Sequence, residues 1–177
     1  NLENFIMIIK SAGFIQPGMI GSKNALNFAY ALYLRLRADS SLAEGERKRI
    51  VRRWFVMSLL TGRHSGSFEG RWEQDIRRIT SQGAAAYLKQ IEESELSDSY
   101  WTVTLPADLE TTSTVSPYFQ AFLAAQIATG ARGFLSKSIT VAAMHQQSGD
   151  IHHIVPKDYL QKNGYPDRGD YNQVGNY

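Results

Sequence analysis

The chain contains no cysteine, which removes disulfides, thiolate nucleophiles and Cys-ligated zinc from any account of its stability or chemistry. No apolar run approaches the roughly 18 residues that a membrane span requires, and the first residues lack the basic start and small-residue cleavage site of a secretory signal. Net charge is also scarce. The 19 Lys and Arg stand against 17 Asp and Glu, leaving +2, too small a surplus to argue for nucleic acid unless basic residues cluster locally. There is no internal repeat or low-complexity tract, so solenoid architectures drop out. No Gly-Lys-Ser or Gly-Lys-Thr follows Gly130 or Gly133, so no phosphate-cradling loop is present. What remains is a chain of 177 residues with 43% apolar and 20% charged side chains, an ordinary globular composition that can bury a core. These features fit a soluble, cytoplasmic protein with one compact body and a small appendage. Because the chain starts at Asn1 and stops at Tyr177 inside a motif, it is expected to be a piece of something longer.

Most of the chain reads as helix. Phe5, Ile6, Ile8 or Ile9 and Ala12 recur at helical intervals over Leu2 to Ala12, and Gly13 can close that segment. Pro17, Gly18 and Gly21 mark a turn. Ser22 is an N-cap for a second helix ending near Asp39, whose apolar face holds Ala25, Phe28, Ala29, Leu32, Tyr33 and Leu36. A third helix spans about Ala43 to Leu60 and stops at Gly62, with Ile50, Val51, Trp54, Phe55, Met57 and Leu60 turned inward. A fourth follows Ser67 on the spacing of Trp72, Ile76 and Ile79 and ends at Gly83, and a short fifth continues to about Leu96. Ser97 to Ser116 reads as a long connection holding one short strand or helical turn, because Trp101, Val103 and Leu105 alternate before Pro106 interrupts. Pro117 opens a sixth helix that ends before Gly130. Phe134 to Met144 is apolar enough to be expected inside the protein.

The residues that carry chemistry lie near the end of the chain, in Gly-Asp-Ile-His-His-Ile-Val-Pro-Lys from Gly149 to Lys157, followed by Asn172 and Gly175-Asn176-Tyr177. In an extended segment the side chains of His152 and His153 diverge, so the pair is suited to two tasks. One can hold a cation while the other handles a proton. Phosphodiester cleavage needs both, a divalent ion to neutralise growing charge and a base to deprotonate water. Pro156 stops the strand and turns the chain outward, Asp158 to Asn163 can form a helical turn that Gly164 ends, and a return strand would bring Asn176 beside the histidines. A carboxamide there can bond loop backbone and hold a base in place without titrating.

His152-His153-Ile154-Val155-Pro156, with Asn176 on the return element, resembles the HNH, or His-Me finger, nucleases. The resemblance implies His152 as a metal ligand, His153 as the general base, Asn176 as the residue that orders the loop, and a divalent ion (Mg, Mn or a transition metal) as cofactor. Further upstream, Arg53-Trp54-Phe55 through Gly62-Arg63, Ser65-Gly66-Ser67, Asp75-Ile76 and Gly133-Phe134-Leu135-Ser136-Lys137 look like the middle region of GmrSD-type modification-dependent restriction proteins. That resemblance implies a helical domain over residues 1–146 and the N-terminal half of an HNH domain, a truncated ββα-metal finger, over 147–177. It also implies DNA as the partner, an N-terminal ParB-like nucleotide-hydrolysing domain ahead of this chain, and a restriction or defence role. The family's second metal ligand, a His or Asn followed by Lys, lies beyond Tyr177, so metal occupancy and activity are expected to be poor in this chain alone.

Several other residues read more plainly. Arg47, Lys48, Arg49, Arg52 and Arg53 could contact phosphate, but a solvated helix face paired with Glu44 and Glu46 is favoured. Lys157, directly after the proline, is the better candidate for contacting the scissile strand. Trp54, Trp72 and Trp101 read as core anchors, and His64 and His145 as ordinary loop or helix-end residues. The rival to a nuclease is a helical interaction module whose finger is degenerate and only holds nucleic acid or a partner.

Overall fold

The computed structural model describes residues 1–147 and 153–177. Ten α-helices are formed among them, and there is no β-strand, only an isolated antiparallel bridge between Arg132 and Thr140. The helices are α1 (Leu2–Ser11), α2 (Lys23–Arg37), α3 (Glu44–Leu60), α4 (Glu69–Gln82), α5 (Ala84–Glu95), α6 (Leu105–Leu109), α7 (Pro117–Ala128), α8 (Val141–Gln146), α9 (Lys157–Lys162) and α10 (Arg168–Tyr171). No helix is long and apolar enough to cross a membrane.

The core is built around α3, which packs against α1, α2, α5 and α7. Its position follows from its sequence, since from Ile50 onward apolar residues occupy enough of the helix that burial is possible on several sides. Trp54 is fully buried and stacks on Phe28 of α2 at 5.4 Å, and Trp72 meets the same Phe28 edge-on. Ser22 caps α2 by accepting a hydrogen bond from the Ala25 amide at 3.1 Å, satisfying an N–H that the helix itself cannot. Gly13 follows α1 with φ +92°, and a Cβ there would lie 1.8 Å from the Ala124 carbonyl oxygen. Only glycine therefore allows α1 and α7 to approach this closely.

The basic stretch of α3 is a paired, solvated face. Lys48 pairs with Glu44 at 2.5 Å, Arg49 with Glu46 at 2.7 Å, and Arg53 reaches across to Glu92 of α5. Exposed pairs of this kind contribute at most about 1 kcal/mol each.

Four expectations need correction. Trp101 is not a core anchor: of the short strand or helical turn expected in this connection the helical turn forms, a π-helical one over Tyr100–Thr104 that runs into α6. Tyr100 is the residue facing inward, with its hydroxyl donating to the Leu60 carbonyl at 3.3 Å, while Trp101 is 47% exposed and anchors no core. Pro106 is tolerated there because a first-turn nitrogen needs no acceptor within the helix. The stretch from Phe134 to Met144 is not internal, since Phe134 and Leu135 stand at 84% and 93% exposure. His64 is not an ordinary loop residue, because it is buried beside Asp75.

The fourth correction concerns the C-terminal finger, whose two strands are not formed among the described residues. One backbone bond, from the Ile154 amide to the Asn176 carbonyl at 2.8 Å, joins the segments that were expected to pair. Pro156 ends the first segment, and Val174–Asn176 closes as a 3-10 turn, so no ladder forms among the described residues. The finger rests on the loop ahead of α7, where the Val174 amide donates to the Thr111 carbonyl at 3.0 Å.

Candidate active site

His153 lies in the first of the finger's two segments, and its ring is half-buried. Its Nε2 lies 2.7 Å from the Asn172 Oδ1. A carboxamide oxygen can only accept, so Nε2 carries the proton and Nδ1 holds the lone pair of the neutral ring. Tyr177 and Tyr171 flank the imidazole, with ring centroids 5.6 and 6.5 Å away at steep interplanar angles. The Tyr177 hydroxyl in turn donates to the Asn172 carbonyl at 2.9 Å. Among the described residues, the ring is thus held by one polar contact and two aromatic walls.

Asn176 secures the backbone beside it. Its Oδ1 accepts from the Val155 amide at 2.7 Å, and its Nδ2 donates to the carbonyls of Val155 at 3.1 Å and Tyr171 at 2.9 Å. One neutral side chain therefore ties the segment after His153 to the segment that carries Asn172. Loss of either end would leave polar backbone groups without partners in a half-buried place. Tyr171 and Val174 supply the small apolar floor beneath this arrangement.

Lys157, at the start of α9, is exposed and sits 5.2 Å over the Tyr171 ring. That placement restrains its stem while leaving the ammonium in solvent. His152 lies outside the described residues. Among those described, no three His, Cys, Asp or Glu side chains converge into a cation site. Among the described residues, the surroundings of the His153 ring are a carboxamide oxygen and two aromatic rings, which suit holding a base in place.

Asn172 and the two tyrosines were not assigned roles from sequence. Asn172 stands four positions before Asn176, and two carboxamides in so short a return segment were the available signal.

A second polar cluster was also missed, and it lies in the helical body. Asp75 is fully buried and accepts from Arg63 Nη2 at 2.6 Å and Nε at 3.0 Å, from the Tyr87 hydroxyl at 3.0 Å, and from His64 Nε2 at 3.1 Å. Arg63 also pairs with Glu95. Burial pushes the Asp75 carboxyl up, but the bonds from His64 and Arg63, the guanidinium charge and the Tyr87 hydroxyl together hold it below its ordinary 3.8. Burial likewise works against the Arg63 charge, and the hydrogen bond and charge of Asp75, with Glu95, raise its pKa despite that. The sequence signal was Asp75 itself, an acid on the apolar stripe of α4 between Trp72 and Ile79. Two open depressions of about 390 and 380 Å³ lie over this part of the molecule, and neither borders His153. The buried acid is saturated with donors, which suits a structural strut better than proton transfer.

Comparison of the chain with protein-family models, curated proteins and solved structures found no match.

Proposed function

We propose that this chain carries the base and its supports in an HNH-type (His-Me finger) site, and that the protein hydrolyses DNA phosphodiesters as part of a restriction or defence system. The observation that carries the reading is the contact between the His153 ring and the Asn172 carboxamide, reinforced by the Asn176 clamp on Val155. With Nε2–H committed to Asn172, Nδ1 is the atom left to take a proton from an attacking water. Asn172 acts as a positioning residue by setting the tautomer, and Asn176 keeps the backbone from drifting away from it. Lys157 supplies a cation for a phosphate of the bound strand. A divalent ion, when bound, would neutralise charge developing on the phosphate. The resemblance of the motif gives His152 the role of its ligand, with the rest of the coordination supplied from outside the described residues.

The reading is tested by nicking of supercoiled plasmid in Mg²⁺, Mn²⁺ or Ni²⁺. Loss of nicking in His153→Ala with an unchanged melting profile supports the base assignment. Unchanged cutting by that variant removes it, and the finger then becomes a holding module for nucleic acid or a partner.

A further inference from the structure

The two most exposed large hydrophobic side chains among the described residues are adjacent, Phe134 at 84% and Leu135 at 93%. They stand at the tip of a closed loop. The Gly133 amide donates to the Ile139 carbonyl, the Val141 amide to the Ala131 carbonyl and the Ser136 amide to the Gly133 carbonyl, each at 2.9 Å. The Ser136 hydroxyl accepts from the Ile139 amide, also at 2.9 Å. Gly133 presses on α8 so closely that a Cβ there would lie 2.6 Å from the Met144 sulfur. The tip is therefore held outward by its own hydrogen bonds and by the helix behind it, instead of folding over its two apolar residues.

Charge identifies what the tip meets. Arg132 and Lys137 flank it, both exposed, and neither has an acidic partner among the described residues. No Asp or Glu occurs anywhere between Glu110 and Asp150, although acids are frequent before that stretch. A long acid-free stretch with two cations beside its exposed tip favours a polyanion and repels nothing about one. The same stretch carries the Thr111 carbonyl on which the finger rests. Phe134 and Leu135, even with the half-exposed Ile139 of the same loop, are too small a surface for a stable protein partner, which needs on the order of 1,000 Å². They are the right size for a wedge between base pairs, where Phe and Leu are among the side chains that unstack a step while nearby cations hold phosphates.

We propose that the 131–140 loop is a duplex-DNA wedge, in which Phe134 and Leu135 enter between base pairs and Arg132 and Lys137 grip the adjoining phosphates. The choice of DNA over other polyanions rests on the nuclease reading of the His153 site.

The experiment uses the chain with a fluorescein-labelled duplex that carries 2-aminopurine, titrated at low and high salt. The parent protein is expected to bind and to raise 2-aminopurine emission as bases unstack. The Phe134→Ala/Leu135→Ala variant is expected to lose that rise and to bind about tenfold or more weakly, with its salt dependence intact. Arg132→Ala/Lys137→Ala is expected to keep the rise and to lower the slope of log affinity against log salt by about 2. Both variants alter exposed residues, and equal circular dichroism spectra and melting curves confirm that they remain folded. Four results would each overturn the wedge: no duplex binding by the parent, unchanged emission in the apolar variant, preference for phosphatidylserine vesicles over duplex, or self-association lost with the two apolar residues. His153→Ala separates the two readings, because it should abolish nicking while leaving the emission rise untouched. Nicking that depends on His153 without any emission rise sinks the wedge alone. An emission rise together with nicking that His153→Ala leaves unchanged sinks the nuclease reading.

Discussion

The cluster around Asp75 and the cluster around His153 handle polar groups in opposite ways. In the first, an acid with no exposure is surrounded by donors, and every charge meets an opposite one inside the helical body. In the second, neutral amides and phenols hold one imidazole at the edge of a small finger. A saturated ionic cluster locks the relative positions of α3's end, α4 and α5, because removing one charge strands the others. A group that must exchange protons needs the reverse, firm support on one side and an uncommitted atom on the other. The difference separates the residues that keep this protein folded from those proposed to give it chemistry.

The sharpest way to break that contrast is His153→Ala. Cutting should fall about 10²–10⁴-fold, the usual contribution of a positioned general base, while the urea midpoint stays where it was. A lowered midpoint would mean that the imidazole is a structural strut after all. Asp75→Ala should behave inversely, with a stability loss of about 3–5 kcal/mol in urea unfolding, because Arg63 keeps only the half-exposed Glu95 and the Tyr87 and His64 donors lose their acceptor. Cutting per folded molecule should be retained. The same residue sets an acid limb. Its folded pKa lies below the ordinary 3.8, so its contribution is complete above that value and is lost as pH falls through the lower folded one. Asp75→Asn should flatten that limb in acid titrations followed by circular dichroism.

Asn176→Ala sharpens the comparison at the finger. It should remove about 1–3 kcal/mol of local stability by leaving the Val155 amide and carbonyl unpaired. Hydrogen exchange at Ile154 and Val155 should accelerate while α2 and α3 stay protected. Equal acceleration throughout would show that finger and body open together. The smallest effect is expected at Tyr100, whose phenol is pushed to about 12 by burial first and then by the charges of Tyr118 and Asp108. Its contribution is complete below the ordinary 10.0 and disappears as pH rises through the folded value. Tyr100→Phe should flatten the alkaline limb and cost about 1 kcal/mol for the lost bond to Leu60.

The helical body was legible wherever apolar periodicity was long and capped. Ser22, Gly13, Gly83 and Pro117 mark boundaries that the structure places within a residue or two, because caps and breakers act through local backbone geometry. Legibility failed where a side chain's fate depends on distant partners. Nothing local distinguishes an apolar run that is buried from one held outward, as Phe134 and Leu135 are, and nothing local shows that His64 will find Asp75. Trp101 misled for a related reason, since a π-helical turn carries Tyr100 inward in its place. At the finger, the motif marked His153 and Asn176 but left Asn172 without a role. The partner of a ring nitrogen is a matter of tertiary geometry, which spacing alone does not encode.

Asn176 and Val155 stand 21 positions apart and are joined by a pair of hydrogen bonds. They act as a clasp around the intervening segment with α9 and α10. Because closing a longer loop adds only about 0.6 kcal/mol per doubling of its length, insertions distal to the clasp can be accommodated without disturbing the ring it guards. That span is where descendants of this chain have room to vary while the imidazole keeps its setting.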